Sequence, residues 1–437
     1  MSPDYPKQVK ETLLRAWLYI RTLLKWLVVA GVTGLVCGTV GSVFHIGVHQ
    51  GAVLLQRFPW LLFCLPLSGL LIVAIYQLTR TQGLGTNDII EAVHQGKRLP
   101  PLLVPAIFCG TVLTHLCGGS AGREGAALQM GGTIGQSVGR WLRLDDRDLR
   151  IATLSGMAAF FSALFGTPLT AALFAIMVIS IGVLYHAAFV PCLTAALVAF
   201  GVSQLMGVEP TRFALAAPAA DAFLFVRVAG LAALCAVVSI LFCNVMHGVE
   251  HQMKKRLPNP WLRVLVGGAA IVILTLLVGN RDYNGAGMEV ITRAIEQGTA
   301  SPWAFVLKLL FTAITLAAGF RGGEVVPSFF VGATFGCVAA PLLGMDPGFG
   351  AAVGLVAVFC GATNCPIAST VLSIELFGSE AVLYFALACG ISYMLSGYNG
   401  LYSSQTILYS KLRAQYINVR TNAHHAGVFD DPQESEE

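Results

Sequence analysis

Two glycine-rich stretches carry the residues best suited to chemistry. GGSAGREGAALQMGG (118–132) sets Arg123 and Glu124 among glycines, and GGEVVP (322–327) sets Glu324 in a similar frame. Glycines mark plausible helix starts: Gly85 before Asn87, Gly122 before Glu124 and Gly323 before Val325. The first N–H groups of a helix lack intrahelical partners, and the macrodipole adds about half a positive charge there. Several such ends converging make an anion site without a full cationic side chain. A carboxylate at such an end, Glu124, competes with a bound anion for the same donors. Once displaced it is free to take a proton, which couples anion movement to proton movement.

The elements that must position these groups lie in a membrane. Of 437 residues 56% are hydrophobic and 11% charged, against roughly a quarter charged in a soluble domain. Apolar runs fill residues 24–410, each able to span or half-span a hydrocarbon core of about 30 Å, without the short alternating strands of a barrel. The expected fold is an all-α integral membrane protein that crosses the lipid bilayer several times. Its 47 glycines and 19 prolines imply broken and tilted helices. Residues 1–25, with Lys7, Lys10, Arg15, Arg21 and Lys25, read as a cytoplasmic amphipathic helix, and the polar, acid-ended residues 417–437 as a disordered tail.

Three segments recur in order. GTNDIIEAVHQG (85–96) resembles GMEVITRAIEQG (287–298), GREGAALQMGG (122–132) resembles GGEVVPSFFVG (322–332) with Glu124 opposite Glu324, and FGTPLTAALFAI (165–176) pairs with TNCPIASTVLSI (363–374) through Pro168 and Pro366, at offsets of 202, 200 and 198. The chain is therefore expected to hold membrane repeats 26–210 and 221–416, in inverted topology, with the site near the midplane.

Other classes find little support. The eleven cysteines are scattered singly and read as core-filling thiols. There is no His or Cys spacing for a metal, no HExxH motif and no phosphate loop, so no metal, cofactor or enzyme activity is expected. A formal net charge of +4 is explained by the basic flanks and gives nucleic acid no footprint.

With these motifs in order, the chain resembles the CLC anion channels and transporters over residues 25–415: GREGA stands for the family's GREGP, GGEVVP for GxFxP, and Tyr402 in NGLYSSQ for the tyrosine after the last membrane helix. The resemblance implies that Glu124 is the external gate and proton acceptor. Anion donors are expected at Gly122, Arg123, Gly125, Gly323, Val325 and Val326, with the Tyr402 hydroxyl as inner ligand. It also implies a homodimer with one pore per subunit, moving chloride or fluoride against protons, and the short tail suggests a bacterial inner (plasma) membrane. A passive, voltage-gated-type chloride channel is the alternative.

Departures from the family pattern bear on mechanism. GSGIP is replaced by GTNDI, so Thr86 or Asn87 must supply the missing serine's donor. The inner acid of the exchangers falls on Met177 or Val178. Several stretches resemble the fluoride-type branch, including Glu324, a possible second pore acid whose simpler use is an ion pair with Arg321. Against that branch stand Val326 in place of a threonine, and Ile89 and Ile90 in place of phenylalanines. Of the remaining acids, Asp88 and Glu91 read as helix-start residues, Asp145 and Asp146 as a solvated loop, and Glu375 as an intramembrane acid with no partner evident. Phe329 and Phe330 read as packing.

Overall fold

The structure, a computed structural model, describes residues 5–422 apart from Ala217, Ala219, Ala220 and Ala414, with no side-chain detail before residue 10. Helices dominate. The first half holds α1 (Tyr5–Arg57), α2 (Leu65–Leu78), α3 (Thr86–Gln95), α4 (Leu103–Leu116), α5 (Glu124–Trp141), α6 (Asp146–Phe165), α7 (Pro168–Met177) and α8 (Phe189–Leu205). The second half repeats the series as α9 (Ala222–Arg256), α10 (Pro260–Val278), α11 (Met288–Glu296), α12 (Ala304–Ala318), α13 (Val325–Ala339), α14 (Pro347–Thr363), α15 (Pro366–Phe377) and α16 (Val382–Leu395). Among the described residues seven helical stretches are long and apolar enough to cross a membrane, and six further apolar helices are only 10–17 residues long. Short, broken spans are what the glycines and prolines implied.

Local sequence explains the breaks. Pro168, Pro260, Pro347 and Pro366 sit in the first turns of their helices, where the missing N–H costs nothing. Asp145, Asp221, Asn259 and Asp346 cap helix starts with their side chains. Asp145 thus begins α6, a more specific task than the solvated loop expected of it.

The repeat is visible in packing. On α5, Gly131 and Gly135 let the backbone of α6 approach at Gly156, and on α13, Gly332 and Gly336 do the same for α14 at Gly350 and Gly354. A β-carbon at any of them would strike backbone of the facing helix, which is the small-residue logic of close packing in membranes. The halves also brace each other: the Glu375 carboxylate on α15 accepts from the amides of Leu169 and Thr170, at 3.0 and 2.9 Å, and so caps α7.

Three details differ from the sequence expectations. Residues 5–25 do not form a separate amphipathic helix; they run on unbroken as the first part of α1. The tail is ordered at its start, because Tyr416–Arg420 (β3) pairs antiparallel with Thr406–Tyr409 (β2), which pairs parallel with Ser180–Ile181 (β1). The rest of the expected tail, 423–437, lies outside the described residues. The repeat register also differs at its most important point, as the site makes clear.

Candidate functional site

The two glycine-rich signatures meet at the centre of the chain. Gly122 and Gly323 exchange two backbone hydrogen bonds, each 2.8 Å, as an isolated antiparallel bridge. Immediately beyond them α5 starts at Glu124 and α13 starts at Val325. The bridge sets the register at 201 residues, so Glu324 is the counterpart of Arg123, and the expected pairing of Glu124 with Glu324 is off by one. The two acids occupy different positions: Glu124 is the first helical residue of α5, and Glu324 flanks α13 from outside.

Glu124 is fully buried. Its Oε1 accepts from the Arg123 amide at 2.9 Å, and its Oε2 accepts from the amide of Val326 on α13 at 3.1 Å. The carboxylate therefore bridges two helix starts from different repeats. Hydrogen bonds to a charged group contribute about 1.5–3 kcal/mol each, so the carboxylate is firmly held while its donors remain of a kind that an anion can use.

A cavity lies on each side of it. One, of about 170 Å³, is lined by Thr86 and Asn87 at the start of α3, Gly125 and Gln129 of α5, Glu324 and Tyr402. The other, of about 490 Å³, is lined by His45, His49, His115, Arg123, Arg281 and Asn284 among others. Gly125 faces the first and Arg123 the second; Glu124, between them in sequence, lines neither. Glu124 thus stands between residues that line two separate cavities.

Of the expected site residues, Thr86, Asn87, Gly125, Glu324 and Tyr402 come together around the smaller cavity. Both candidates for the missing serine are there: Thr86 Oγ1 accepts from Gln129 at 3.1 Å, and Asn87 Oδ1 accepts from the Ser404 amide at 3.1 Å. That leaves the Thr86 hydroxyl hydrogen and the Asn87 amide as donors. Tyr402 is 2% exposed. Val325 and Val326 lie behind Glu124, the Val326 amide already spent on it.

Three expected donors are placed otherwise. The amides of Gly122 and Gly323 are consumed by each other and cannot hold an anion. Arg123 sends its guanidinium away from the Glu124 carboxylate, to His45 Nδ1 at 3.0 Å and the Leu164 carbonyl at 3.4 Å. Nor does Glu324 pair with Arg321: among the described residues it has no ion-pair partner, while the Arg321 guanidinium stacks on the Tyr76 ring at 3.9 Å. Met177, Val178, Ile89 and Ile90 are buried in the hydrophobic core. Phe329 and Phe330 pack against Phe359 and Tyr283. Asp88 caps α3 through the Gly85 amide at 2.9 Å, whereas Glu91 meets Ser404 and Arg420.

The sequence reading missed Lys308. This lysine of α12 is wholly buried, and its Nζ donates to the carbonyls of Gly285 and Tyr283 at 2.6 and 3.2 Å. Gly285 in turn accepts from the Ala121 amide at 3.2 Å, so Lys308 braces the loop leading to Glu124. A lone cation in the apolar run AFVLKLLF was the signal.

Repeated broken helices around a buried carboxylate between two cavities define a membrane protein built for passing small ions. Comparison with known proteins gives the family. The voltage gated chloride channel family matches residues 67–397, and the chain belongs to it. A chloride/fluoride channel protein of Pseudomonas syringae pv. tomato is 35% identical over 398 residues, covering 89% of this chain and 88% of that one. The crystal structure of a CLC-type fluoride/proton antiporter superposes with a TM-score of 0.85 at 32% identity, covering 88% of this chain and 98% of that one. A ClcA proton/chloride exchange transporter of Vibrio vulnificus is 25% identical over 451 residues, covering 92% and 94%.

Proposed function

We propose that the protein carries a small halide, chloride or fluoride, across a membrane in exchange for protons, with Glu124 as the external gate. One observation carries the reading: a fully buried carboxylate holds amides of two opposed helix starts and separates two cavities. When a halide takes those amides, the carboxylate must leave, and in leaving it can pick up a proton on the side of the larger cavity. Return of the protonated group delivers the proton toward Glu324, the acid of the opposite cavity. The proton and the anion thus cross in opposite directions through one place.

Orientation follows from charge. Lys254, Lys255 and Arg256 end α9 one turn beyond Glu250 of the smaller cavity, and Lys97, Arg98 and Arg140 gather beside α3. An excess of Lys and Arg marks the cytoplasmic face, so the smaller cavity is the inner one. We further propose a homodimer with one pore per subunit in a bacterial inner membrane; the mass of the detergent-solubilised particle tests the dimer, and fractionation of bacterial membranes tests the location.

The decisive experiment is efflux from proteoliposomes, read together by fluoride and chloride electrodes and a pH probe, for the wild type and Glu124→Gln. Halide leaving against protons in the wild type, with the proton component lost in the variant, supports exchange. Halide passing without protons in both makes the protein a passive channel. If neither halide passes, the reading fails.

A further inference from the structure

We infer that a second anion site, formed by Arg263, Arg321 and the Tyr76 hydroxyl beside the inner pore cavity, holds the transported halide before it enters the pore. The inference rests on the halide-transport reading and adds a place to it.

A cavity of about 240 Å³ lies between the start of α10 and the end of α12, with Tyr76, Gln82, Arg263 and Arg321 as its polar side chains. Tyr76 and Arg321 also line the pore cavity, so the two spaces share that wall. The Arg321 guanidinium is stacked on the Tyr76 ring at 3.9 Å, which fixes the wall's cation in place.

The donors there are underused. Arg263 reaches only the carbonyls of Ala318 and Leu257, both at 3.4 Å, and Arg321 reaches the Leu84 carbonyl at 3.4 Å. Arg321 Nε is buried with no partner, and so is the hydroxyl of Tyr76, a residue only 2% exposed. Among the described residues no carboxylate lines this cavity. Two half-buried guanidiniums face this cavity with Glu250 acting on Arg263 only from outside its lining, a costly arrangement unless an anion joins them.

Charge also sorts the two inner approaches. The pore cavity sets two acids, Glu250 and Glu324, against the one shared Arg321, whereas the side cavity is lined by Arg263 and Arg321 with no acid. Lys255 and Arg256, close before Pro258 in its lining, extend the positive field to the surface. A halide is therefore drawn first to the Arg263 side and lies one layer of side chains from the pore.

The test measures efflux in sided vesicles while the halide concentration at the inner face is varied, using chloride and fluoride, for wild type, Arg263→Gln, Arg263→Lys and Tyr76→Phe. Arg263 lines the side cavity alone, so its variants spare the pore. Removing its charge should raise the half-saturating inner halide concentration about tenfold or more with little change in the maximal rate, a loss on the order of one charge-assisted contact. Arg263→Lys should recover most of the difference, and Tyr76→Phe should show a smaller rise. Calorimetric halide titration of the purified protein should lose one binding event in Arg263→Gln. An unchanged concentration dependence in an Arg263→Gln protein that elutes like wild type overturns the site while leaving the transport reading intact. A change that tracks only the anionic-lipid content of the vesicles overturns the halide as occupant in favour of a lipid phosphate. Failure of the wild type to move halide at all would instead remove the reading beneath it.

Discussion

Gly122 and Gly323, 201 residues apart, exchange a pair of 2.8 Å backbone hydrogen bonds and so fasten the two repeats together two residues before α5 and α13 begin. This bridge makes the site asymmetric. From Gly122 the chain reaches Arg123 and then Glu124; from Gly323 it reaches Glu324 and then Val325. Each repeat carries its acid at a different distance from the bridge, so Glu124 accepts from the Val326 amide of the other repeat while Glu324 lines the smaller cavity. Near-symmetric halves thereby supply two carboxylates with different duties.

The bridge predicts that Gly125→Ala will be poorly tolerated. An added β-carbon would lie 2.9 Å from the Gly322 carbonyl oxygen and 3.1 Å from the Gly323 α-carbon, which are backbone atoms that cannot turn aside. Overpacking of this kind costs about 1–3 kcal/mol. Thermal unfolding in detergent should show a lower midpoint, and halide efflux should fall with it because the Gly125 amide borders the inner cavity. A variant as stable and as active as wild type would mean that the two signatures do not pack this closely.

Glu324→Gln separates proton movement from anion movement. The residue lines the inner cavity, has no ion-pair partner among the described residues, and makes no capping bond to α13. Its neutral analogue should leave halide efflux within about threefold while proton counterflow drops about tenfold or more, equivalent to about 1.4 kcal/mol on the proton step. Equal loss of both fluxes would assign Glu324 a structural role instead.

Lys308→Met tests the brace on the loop leading to Glu124. The Tyr283 carbonyl loses its lysine donor, and Gly285 keeps only its bond from Ala121. An unsatisfied buried carbonyl costs about 1–3 kcal/mol, so the unfolding midpoint should drop. Loss of this buried charge behind the loop should also slow halide efflux. Lys308→Arg, which keeps charge and donors but adds bulk, should retain more flux than the methionine variant. Equal rates for the two would remove charge from the explanation.

Much of this arrangement was legible in the sequence because its signals are local. Gly122 ahead of Glu124 marked the start of α5, and Pro168 and Pro366, matched as a repeat, stand at the starts of α7 and α15. What escaped depends on neighbours that sequence does not supply. The glycines as a group were expected to break helices, yet α1 runs through Gly34 and Gly38, which seat Ala195, Val198, Ala199 and Val202 of α8. The one-residue register difference between Glu124 and Glu324 was hidden because each acid sits in a short glycine-bearing motif, GREG and GGEV, that can be aligned on the acid, and only the Gly122–Gly323 bridge fixes the count. The Glu375 cap on α7 and the β2–β3 pairing are contacts between distant or short segments with no periodic signature.

Val326→Thr bears on halide choice. The Val326 amide holds Glu124 Oε2 at 3.1 Å, so a hydroxyl on the same residue would stand beside the place that carboxylate and anion share. Fluoride is small and strongly hydrated, and it gains more than chloride from each added donor that replaces water. The substitution puts a hydroxyl into a position only 1% exposed, so stability should fall by about 1–3 kcal/mol if the group finds no partner and little if it bonds the carboxylate or an anion. In paired electrode recordings the ratio of fluoride to chloride efflux should rise severalfold over wild type, and the unfolding midpoint should recover when fluoride is added. A ratio unchanged despite a folded, active protein would place the determinants of selectivity elsewhere around the inner cavity, with Thr86 and Asn87 the next residues to exchange.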